Sequence, residues 1–393
     1  MISPAVRLAD AAARGPYDGY LPAPGSQPIA RVDGPATPLR RAERLSPAWP
    51  LDRKVGALLD LSLAAVPGWT RPRRVPSAGA LYPVDAHVFA GGIGHLYDPI
   101  RHRLIRQPDR PDRPGPDGVL VVLSLAPERT RWKYGSRSLP SLLLDLGHAV
   151  GALAAAAAVV DLECWIQGDA DTGPLSALTG RPHSLVALHL AEPAAGPPAW
   201  ELGGDRPRPI AESGDLVTDA LIELGSGSPE PTWFRTGLPR FTDDVLRDRR
   251  SADPPFTGSL RSADLDALLA GTPLLAATAE GLRDAQGPVA SGDARPVLAA
   301  WAAGQGFVAD AAAVLLYAAP LDDYRQEHVR AGLAVHRALL GAQARGLRAR
   351  AIGSWGQADL GAALGRRPGT SLVVHGAVVG PATATPTGED TYA

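Results

Sequence analysis

The chain has 393 residues, of which 45% are apolar and 5% aromatic, and its formal net charge is −2. This length and apolar content suffice for two or three domains with a core of Ala, Leu and Val, and the balanced charge argues against nucleic-acid binding. The single cysteine, Cys164, excludes an internal disulfide framework and a cysteine-rich zinc site, so we expect a reducing, cytoplasmic environment.

Residues 1–40 are rich in Pro, Gly and Ala and have little periodicity, which predicts an N-terminal arm. No basic region followed by an apolar run stands near the start, so we expect no signal peptide. The apolar run 149–162 is too short to cross a bilayer, and we expect no membrane contact.

Residues 41–200 alternate between helical and strand-like patterns. Helices are predicted at 53–65 and 139–161, and strands at 84–90, 118–126 and 185–191. Helix- and strand-breaking residues then cluster at 193–209. We therefore predict a first unit at 41–200, a linker at 201–240, a second unit at 241–383 and a tail at 384–393.

The second unit repeats the order of the first. Segments 313–320, 328–347, 352–365 and 371–381 mirror 119–127, 143–162, 166–180 and 184–193. The spacing from Gly147 to Gly180 equals that from Gly332 to Gly365. Chance alignment of two Ala-rich sequences is the alternative, but the matched order of strand, helix, glycine turn and strand favours a duplication. Such a chain is a fused version of an ancestral homodimer.

Four motifs of the first unit point to a family. They are PSAGALYP at 76–83, HLYDP at 95–99, WKYG at 132–135 and LLDLGHAVGAL at 143–153. Together they resemble the flavin-dependent nitroreductase superfamily, and within it the SagB/McbC-like (ThcOx-type) dehydrogenases, which oxidise thiazolines and oxazolines of ribosomally made peptides to azoles. The resemblance implies an α+β, nitroreductase-like fold: a central, mostly antiparallel sheet wrapped by helices, with two fused halves forming an intramolecular pseudo-dimer.

The resemblance also implies FMN between the halves. In that superfamily one subunit supplies a Pro-Ser loop, and the other supplies an Arg-x-Ser segment and a late Ile-Gly turn. The Pro-Ser loop is recognisable in the first half alone, whereas the second half keeps both other pieces; the late turn of the first half reads IQGD and carries Asp169. We therefore expect one good FMN site. Its expected residues are Pro76, Ser77, Gly79 and Tyr82 with Arg249, Arg250, Ser251, Ile352, Gly353 and Ser354, while Arg73 and Arg74 compete for the phosphate or an acidic peptide.

Lysine occurs only at Lys54 and Lys133 in a chain whose other cationic side chains are arginines. The resemblance assigns Lys133 and Tyr134 to catalysis. Forming an azole removes a hydride and a proton from the ring, and the proton needs a base; lysine can serve when burial lowers its pKa, whereas arginine cannot be deprotonated usefully. The competing interpretation is a surface lysine in a loop with Tyr134 packed beneath it. His148 is expected to be structural, and no His, Asp and Glu cluster has metal spacing.

The leading interpretation is an FMN-dependent dehydrogenase acting on a modified precursor peptide, with a cyclodehydratase complex as a candidate partner. The second is a general nitroreductase that uses a nicotinamide donor. The third is a flavin-free subunit that binds peptide within a biosynthetic complex. A monomeric pseudo-dimer and a higher oligomer both remain open.

Overall fold

The structure is a computed structural model of the chain. It describes residue 5 and residues 34–41, 45–46, 48–68, 72–107, 118–193, 196–198, 215–228, 232–353, 355–356 and 358–382. Most of the predicted arm, much of the predicted linker and the predicted tail lie outside these described residues.

Two antiparallel sheets organise the described residues. The first has the order β1-β4-β3-β2-β5-β7-β6-β8. Its strands are β1 (Ala36–Pro38), β2 (Val84–Ala90), β3 (Ile93–Asp98), β4 (Arg103–Arg106), β5 (Val119–Leu125), β6 (Glu163–Gln167), β7 (Ser184–Ala191) and β8 (Phe234–Arg235).

The second sheet has the order β11-β10-β9-β12-β14-β13. Its strands are β9 (Leu274–Ala277), β10 (Gly281–Arg283), β11 (Pro288–Ser291), β12 (Ala313–Ala319), β13 (Arg348–Ile352) and β14 (Leu372–Gly380). The order β4-β3-β2-β5-β7-β6 of the first sheet thus recurs strand for strand in the second, so the duplication extends to the hairpins before β5 and β12.

Helices cover these sheets. They are α1 (Leu51–Ser62), α2 (Glu128–Tyr134), α3 (Ser138–Val159), α4 (Thr172–Thr179), α5 (Leu216–Glu223), α6 (Asp243–Asp248), α7 (Ser262–Leu269), α8 (Arg295–Trp301) and α9 (Tyr324–Gln343). The central strands β5 and β7 are buried along their whole length, which explains their continuous apolar sequence.

Helices α3 and α9 cross at the centre of the molecule, where glycines face each other. A β-carbon on Gly147 would lie 2.3 Å from the carbonyl oxygen of Val329, and one on Gly332 would lie 2.4 Å from that of Leu144. No side chain fits there, so the backbones can touch only because both positions are glycine. The two glycines that the sequence repeat pairs therefore meet where the halves join.

The structure corrects some sequence expectations. Helix α9 begins at Tyr324 rather than 328, because the side chain of Asp323 accepts a hydrogen bond from the Gln326 amide and caps the helix. The apolar run 149–162, taken from the sequence alone, is too short to cross a bilayer. The helical stretch 128–159 in the structure is long and apolar enough to do so by length and composition. However, 89% of its most apolar window is buried inside the protein, as in a core helix.

Candidate active site

The loop at 76–83 is held against helix α3 by one carboxylate. Asp145 accepts hydrogen bonds from the Ser77 hydroxyl at 2.5 Å and the Ala78 amide at 3.0 Å. The same hydroxyl accepts a bond from the Tyr82 amide at 2.9 Å. The Ser77 hydroxyl, which the sequence offers to a cofactor, therefore holds the loop in its conformation instead.

The loop has an unusual backbone. Gly79, Ala80 and Tyr82 have φ angles of 61°, 55° and 49°, in the left-handed region that costs a non-glycine residue about 1–2 kcal/mol. Strain of this kind persists only where surrounding bonds enforce it, and the three bonds to Ser77 and Asp145 do so. The loop thus presents its backbone, rather than side chains, to the space in front of it.

Lys133 and Tyr134 lie directly over Gly79. A β-carbon on Gly79 would come within 2.6 Å of the Tyr134 hydroxyl and 2.8 Å of Lys133 Nζ. The two motifs that the sequence analysis singles out, PSAGALYP and WKYG, therefore meet at one glycine. Lys133 belongs to helix α2 rather than to a loop, and its Nζ lies 5.5 Å from the centre of the Tyr134 ring.

The two lysines have different surroundings. Lys54 is buried and pairs with both carboxylate oxygens of Glu192, at 2.8 and 2.9 Å. Lys133 is half-buried and makes no hydrogen bond or ion pair with the described residues. The side-chain nitrogen of Lys133 is therefore available to a ligand, whereas that of Lys54 is already used by Glu192.

Burial controls the protonation of the neighbouring acids. Desolvation raises the pKa of Asp145, which is 4% exposed, to about 7, although its bonds from Ser77 and Ala78 oppose the shift. Burial, reinforced by the charge of Asp145, also raises the pKa of Tyr134. Tyr134 is therefore a neutral phenol at neutral pH and can donate a hydrogen bond.

The second half supplies a buried guanidinium to the same site. Arg249 is 6% exposed, and its Nε donates to the carbonyl oxygen of Arg74 at 2.7 Å. Its Nη1 is buried and has no hydrogen-bond partner among the described residues. Burial lowers the pKa of Arg249 to about 10, so the group stays charged at neutral pH. A buried cation with an unpaired donor suits an anionic ligand.

The turn after β13 is fixed by two histidines. His375 Nδ1 lies 3.0 Å from the carbonyl oxygen of Ile352 and must donate to it, so Nε2 of the neutral ring accepts the bond from His148 Nε2 at 2.9 Å. Burial keeps both rings neutral by lowering the pKa of His375 to about 3 and that of His148 well below its ordinary value. The pair holds the Ile352–Gly353 turn against helix α3.

One cavity of about 790 Å³, within the roughly 300–1,000 Å³ range of ligand sites, lies between the two halves. The 76–80 loop, Tyr134, Asp145, Arg249 and the Ile352–Gly353 turn line it, whereas Lys133 lies beside it against Gly79 and is not one of its lining residues. Its charged lining is mainly basic, because Asp145 is the single acid among the lining residues. Such a cavity could hold a flat, phosphate-bearing cofactor. No cluster of three or more His, Cys, Asp and Glu side chains in the described part of the chain could hold a metal ion. The basic lining residues are Arg73, Arg249, Arg250 and Arg350.

Most of the predicted cofactor residues line this cavity. They are Arg73, Pro76, Ser77, Gly79, Tyr82, Arg249, Arg250, Ser251, Ile352 and Gly353. Arg74 does not line it, because its guanidinium donates to the carbonyl oxygens of Asp60 and Arg247. Ser354 lies outside the described residues.

Sequence reasoning does not single out several of the lining side chains, among them Asp145, Gln305, Arg350 and His375. Asp145 stands inside the quoted motif LLDLGHAVGAL, so the position could have been noticed there, but no spacing marks it as a partner of Ser77. Gln305, Arg350 and His375 carry no local signal, since only the fold brings them to the cavity. His148 is structural, as expected, and also lines the cavity.

The pseudo-symmetric position in the other half is closed. Arg325, in the first turn of helix α9, is 3% exposed and donates to four carbonyl oxygens. Those acceptors are the carbonyl groups of Gly168, Ala170, Leu185 and Leu224. A guanidinium thus occupies the late turn of the first half.

A segment of the chain also covers that turn. The Ser228 amide donates to the carbonyl oxygen of Asp169 at 2.7 Å, and the Thr172 amide donates to that of Gly225 at 3.0 Å. Gly227 packs so tightly that a β-carbon would lie 2.1 Å from the carbonyl carbon of Ala170. A separate pocket nearby, of about 680 Å³, carries an acidic rim. The two positions therefore differ in access and charge, and the second does not suit a phosphate.

Comparison with known proteins supports the fold. No protein-family model and no curated protein matches the chain. Among solved structures, a candidate nitroreductase from Anabaena variabilis matches with a TM-score of 0.75 and 18% identity, covering 97% of this chain and 100% of that chain. At this identity the likeness establishes the fold. The predicted nitroreductase-like α+β fold with two fused halves is confirmed.

Two further matches cover about half of the chain. A candidate nitroreductase from Ralstonia eutropha has a TM-score of 0.33 and 14% identity over 45% of this chain and 96% of that chain. The Escherichia coli microcin synthetase McbBCD complex has a TM-score of 0.31 and 17% identity over 45% of this chain and 78% of that chain. These likenesses are too weak to bear on function.

Proposed function

We propose that this protein is an FMN-dependent, cytoplasmic oxidoreductase that oxidises thiazoline or oxazoline rings of a modified precursor peptide to thiazoles or oxazoles. The observation that carries the proposal is the meeting of Lys133 and Tyr134 with Gly79 beside a cavity that Tyr134 and Gly79 line together with Arg249, whose Nη1 has no partner among the described residues. Lys133 beside the cavity offers a proton acceptor, and Arg249 in the cavity offers an anion site.

The residues present fit FMN. The unpaired Nη1 of Arg249 suits the phosphate, with Arg250 and Ser251 at the exposed rim. The backbone of the 77–80 loop and of Gly353 can approach a flat ring, since Gly353 has no neighbour closer than 3.7 Å to a built β-carbon. When bound, FMN supplies the hydride acceptor for the ring carbon of the substrate.

The chain's own residues have three tasks in this reaction. Aromatisation removes a hydride from one ring carbon and a proton from the adjacent carbon, and the amine of Lys133 takes that proton. Tyr134, a neutral phenol, donates a hydrogen bond that orients the ring or the amine. Asp145 holds the loop beneath them through Ser77 and Ala78, so that the reacting groups keep their places.

The test is a pair of substitutions at Lys133. Lys133→Ala and Lys133→Arg are expected to give yellow, folded protein that has lost azole formation by ~100–10,000-fold, since a general base is typically worth that much. Lys54→Arg is the matched control, because Lys54 is already paired with Glu192 and should keep full activity with arginine. Full activity of Lys133→Arg would show that Lys133 does not accept the proton and that only its positive charge matters.

A nitroreductase that uses a nicotinamide donor is the second candidate, because the matched Anabaena protein with this fold is described as a candidate nitroreductase. Rapid bleaching of the bound flavin by NADPH, without bleaching by a thiazoline peptide, would favour it. A colourless protein that cannot be loaded with FMN would instead favour a peptide-binding subunit without flavin.

A further inference from the structure

One edge of the second sheet borders the cavity. Strand β13 is the last strand of its sheet and pairs only with β14 among the described strands. Farther from the turn, the Ala252 amide donates to the carbonyl oxygen of Ala349 at 3.0 Å, on the side away from β14. Because backbone groups alternate along a strand, Ala351 also turns its N–H and C=O outward.

The outward groups of Ala351 are available to a ligand. No described backbone group outside the sheet bonds to Ala351, and Ala351 lines the cavity together with Arg350 and Ile352. The outward N–H and C=O groups of an edge strand can pair with another extended chain, and Ala351 offers one such pair.

The first half shows what such an edge accepts. There the counterpart of Ile352 is Ile166, and the counterpart of Ala351 is Trp165. The segment Phe234–Arg235 adds to that edge as the antiparallel strand β8, with Arg235 opposite Trp165 and Phe234 opposite Ile166. In the closed half, the chain thus pairs the edge of β6 with its own extended segment, β8. The equivalent edge of β13, beside the open cavity, has no such strand among the described residues.

We infer that the peptide substrate adds to Ala351 as a short antiparallel strand, as β8 adds to β6, and so delivers its ring to the cavity. This inference rests on the proposed function for the identity of the substrate. Main-chain hydrogen bonds give affinity without reading side chains, so the site accepts rings in different sequence contexts along an extended peptide.

The main test alters the peptide and leaves the protein unchanged. The probe is a short fluorescein-labelled peptide with one central thiazoline flanked by alanines, and its binding to the flavin-loaded, full-length protein is followed by fluorescence anisotropy. Methylating the backbone nitrogens one at a time removes one donor each. Loss of affinity of about three- to tenfold is expected at every second position, since alternate groups of a strand face its partner.

A second test alters the edge. Ala351→Pro removes the outward N–H at an edge position where proline is tolerated, and it should weaken binding of the unmethylated probe by about three- to tenfold. Val289→Pro, on the exposed strand β11 at the opposite edge of the same sheet, is the control and should bind like the wild type. Hydrogen exchange of the 349–352 segment should slow on addition of the peptide, and flavin content reports the fold of each variant.

The outcomes separate this inference from the proposed function. A probe that binds with the period-two pattern and protects Ala351 but is not oxidised supports the edge site and overturns the azoline reaction. A probe that is oxidised without protection at Ala351, or without the pattern, overturns the edge site alone. Protection of Ala351 before any peptide is added, lost on deletion of residues 383–393, would assign the edge to the chain's own tail and overturn the inference.

Discussion

Gly79→Ala tests the arrangement of the site with a single methyl group. The new carbon would lie 2.6 Å from the Tyr134 hydroxyl and 2.8 Å from Lys133 Nζ, whereas ordinary contact begins at 3.4 Å. Both groups must therefore retreat by more than half an ångström. The φ of 61° at this position adds about 1–2 kcal/mol of backbone strain for an alanine.

Gly68→Ala is the matched control for that strain. Gly68 has a φ of 81°, and a β-carbon there would meet nothing within 4 Å. We expect both variants to lose about 1–2 kcal/mol in the free energy of unfolding. Only Gly79→Ala should also slow azole formation, by roughly 10–100-fold, because a displacement of about 1 Å at a reacting group costs about 100-fold.

The assay measures thiazole formation in a single turnover, together with urea unfolding of both variants. If Gly79→Ala retains the wild-type rate, or if Gly68→Ala loses as much activity as Gly79→Ala, then the contact of Gly79 with Lys133 and Tyr134 has no part in catalysis.

Three further predictions concern the walls of the cavity and the closed half. Arg249→Ala should weaken FMN binding by ~10–100-fold, because it removes a charged hydrogen bond to the phosphate, but should leave riboflavin binding nearly unchanged. Equilibrium dialysis with both flavins measures this. Equal losses of affinity for the two flavins would show that Arg249 does not bind the phosphate. Asp145 has a folded-state pKa of about 7, above its ordinary 3.8, so its contribution to stability is present below pH ~4 and is lost as pH rises through 7. The difference in unfolding free energy between the wild type and Asp145→Asn should therefore change by a few kcal/mol between pH 4 and 8, and a flat difference would contradict the raised pKa. Arg325→Ala should lower the unfolding free energy by ~2–4 kcal/mol, because it leaves buried carbonyl groups unpaired. The ratio of FMN to protein should stay near one. A ratio near two would show that Arg325 alone closes the second position.

Local sequence predicts much of the fold and the two loops of the site. The continuous apolar runs of β5 and β7 and the Ala-rich helix α3 follow directly from periodicity. Periodicity does not detect the short strands β9, β10 and β11, because each has only three or four residues. Pairing with neighbouring strands, rather than a local sequence pattern, defines them. The first turn of α9 is missed for a similar reason, since its cap is a single Asp323 side chain.

The site is less predictable than the fold, because its geometry comes from contacts between distant residues. Nothing in the sequence tells that the Ser77 hydroxyl is used by Asp145, or that Arg74 turns to Asp60 while its neighbour Arg73 faces the cavity. The asymmetry of the two halves is visible in the degraded turn at 166–169. Its physical cause, a buried Arg325 and a covering segment at 225–228, is visible only in the structure.

Anaerobic titration of the flavin-loaded protein with a thiazoline peptide tests the central claim most directly. The flavin absorbance and the mass of the peptide are followed together. We predict that the flavin bleaches as the peptide loses two hydrogens, with one thiazole formed per chain, and that Lys133→Arg binds flavin but shows neither change. A bound flavin that the peptide leaves oxidised while NADPH bleaches it at once would contradict the proposed reaction.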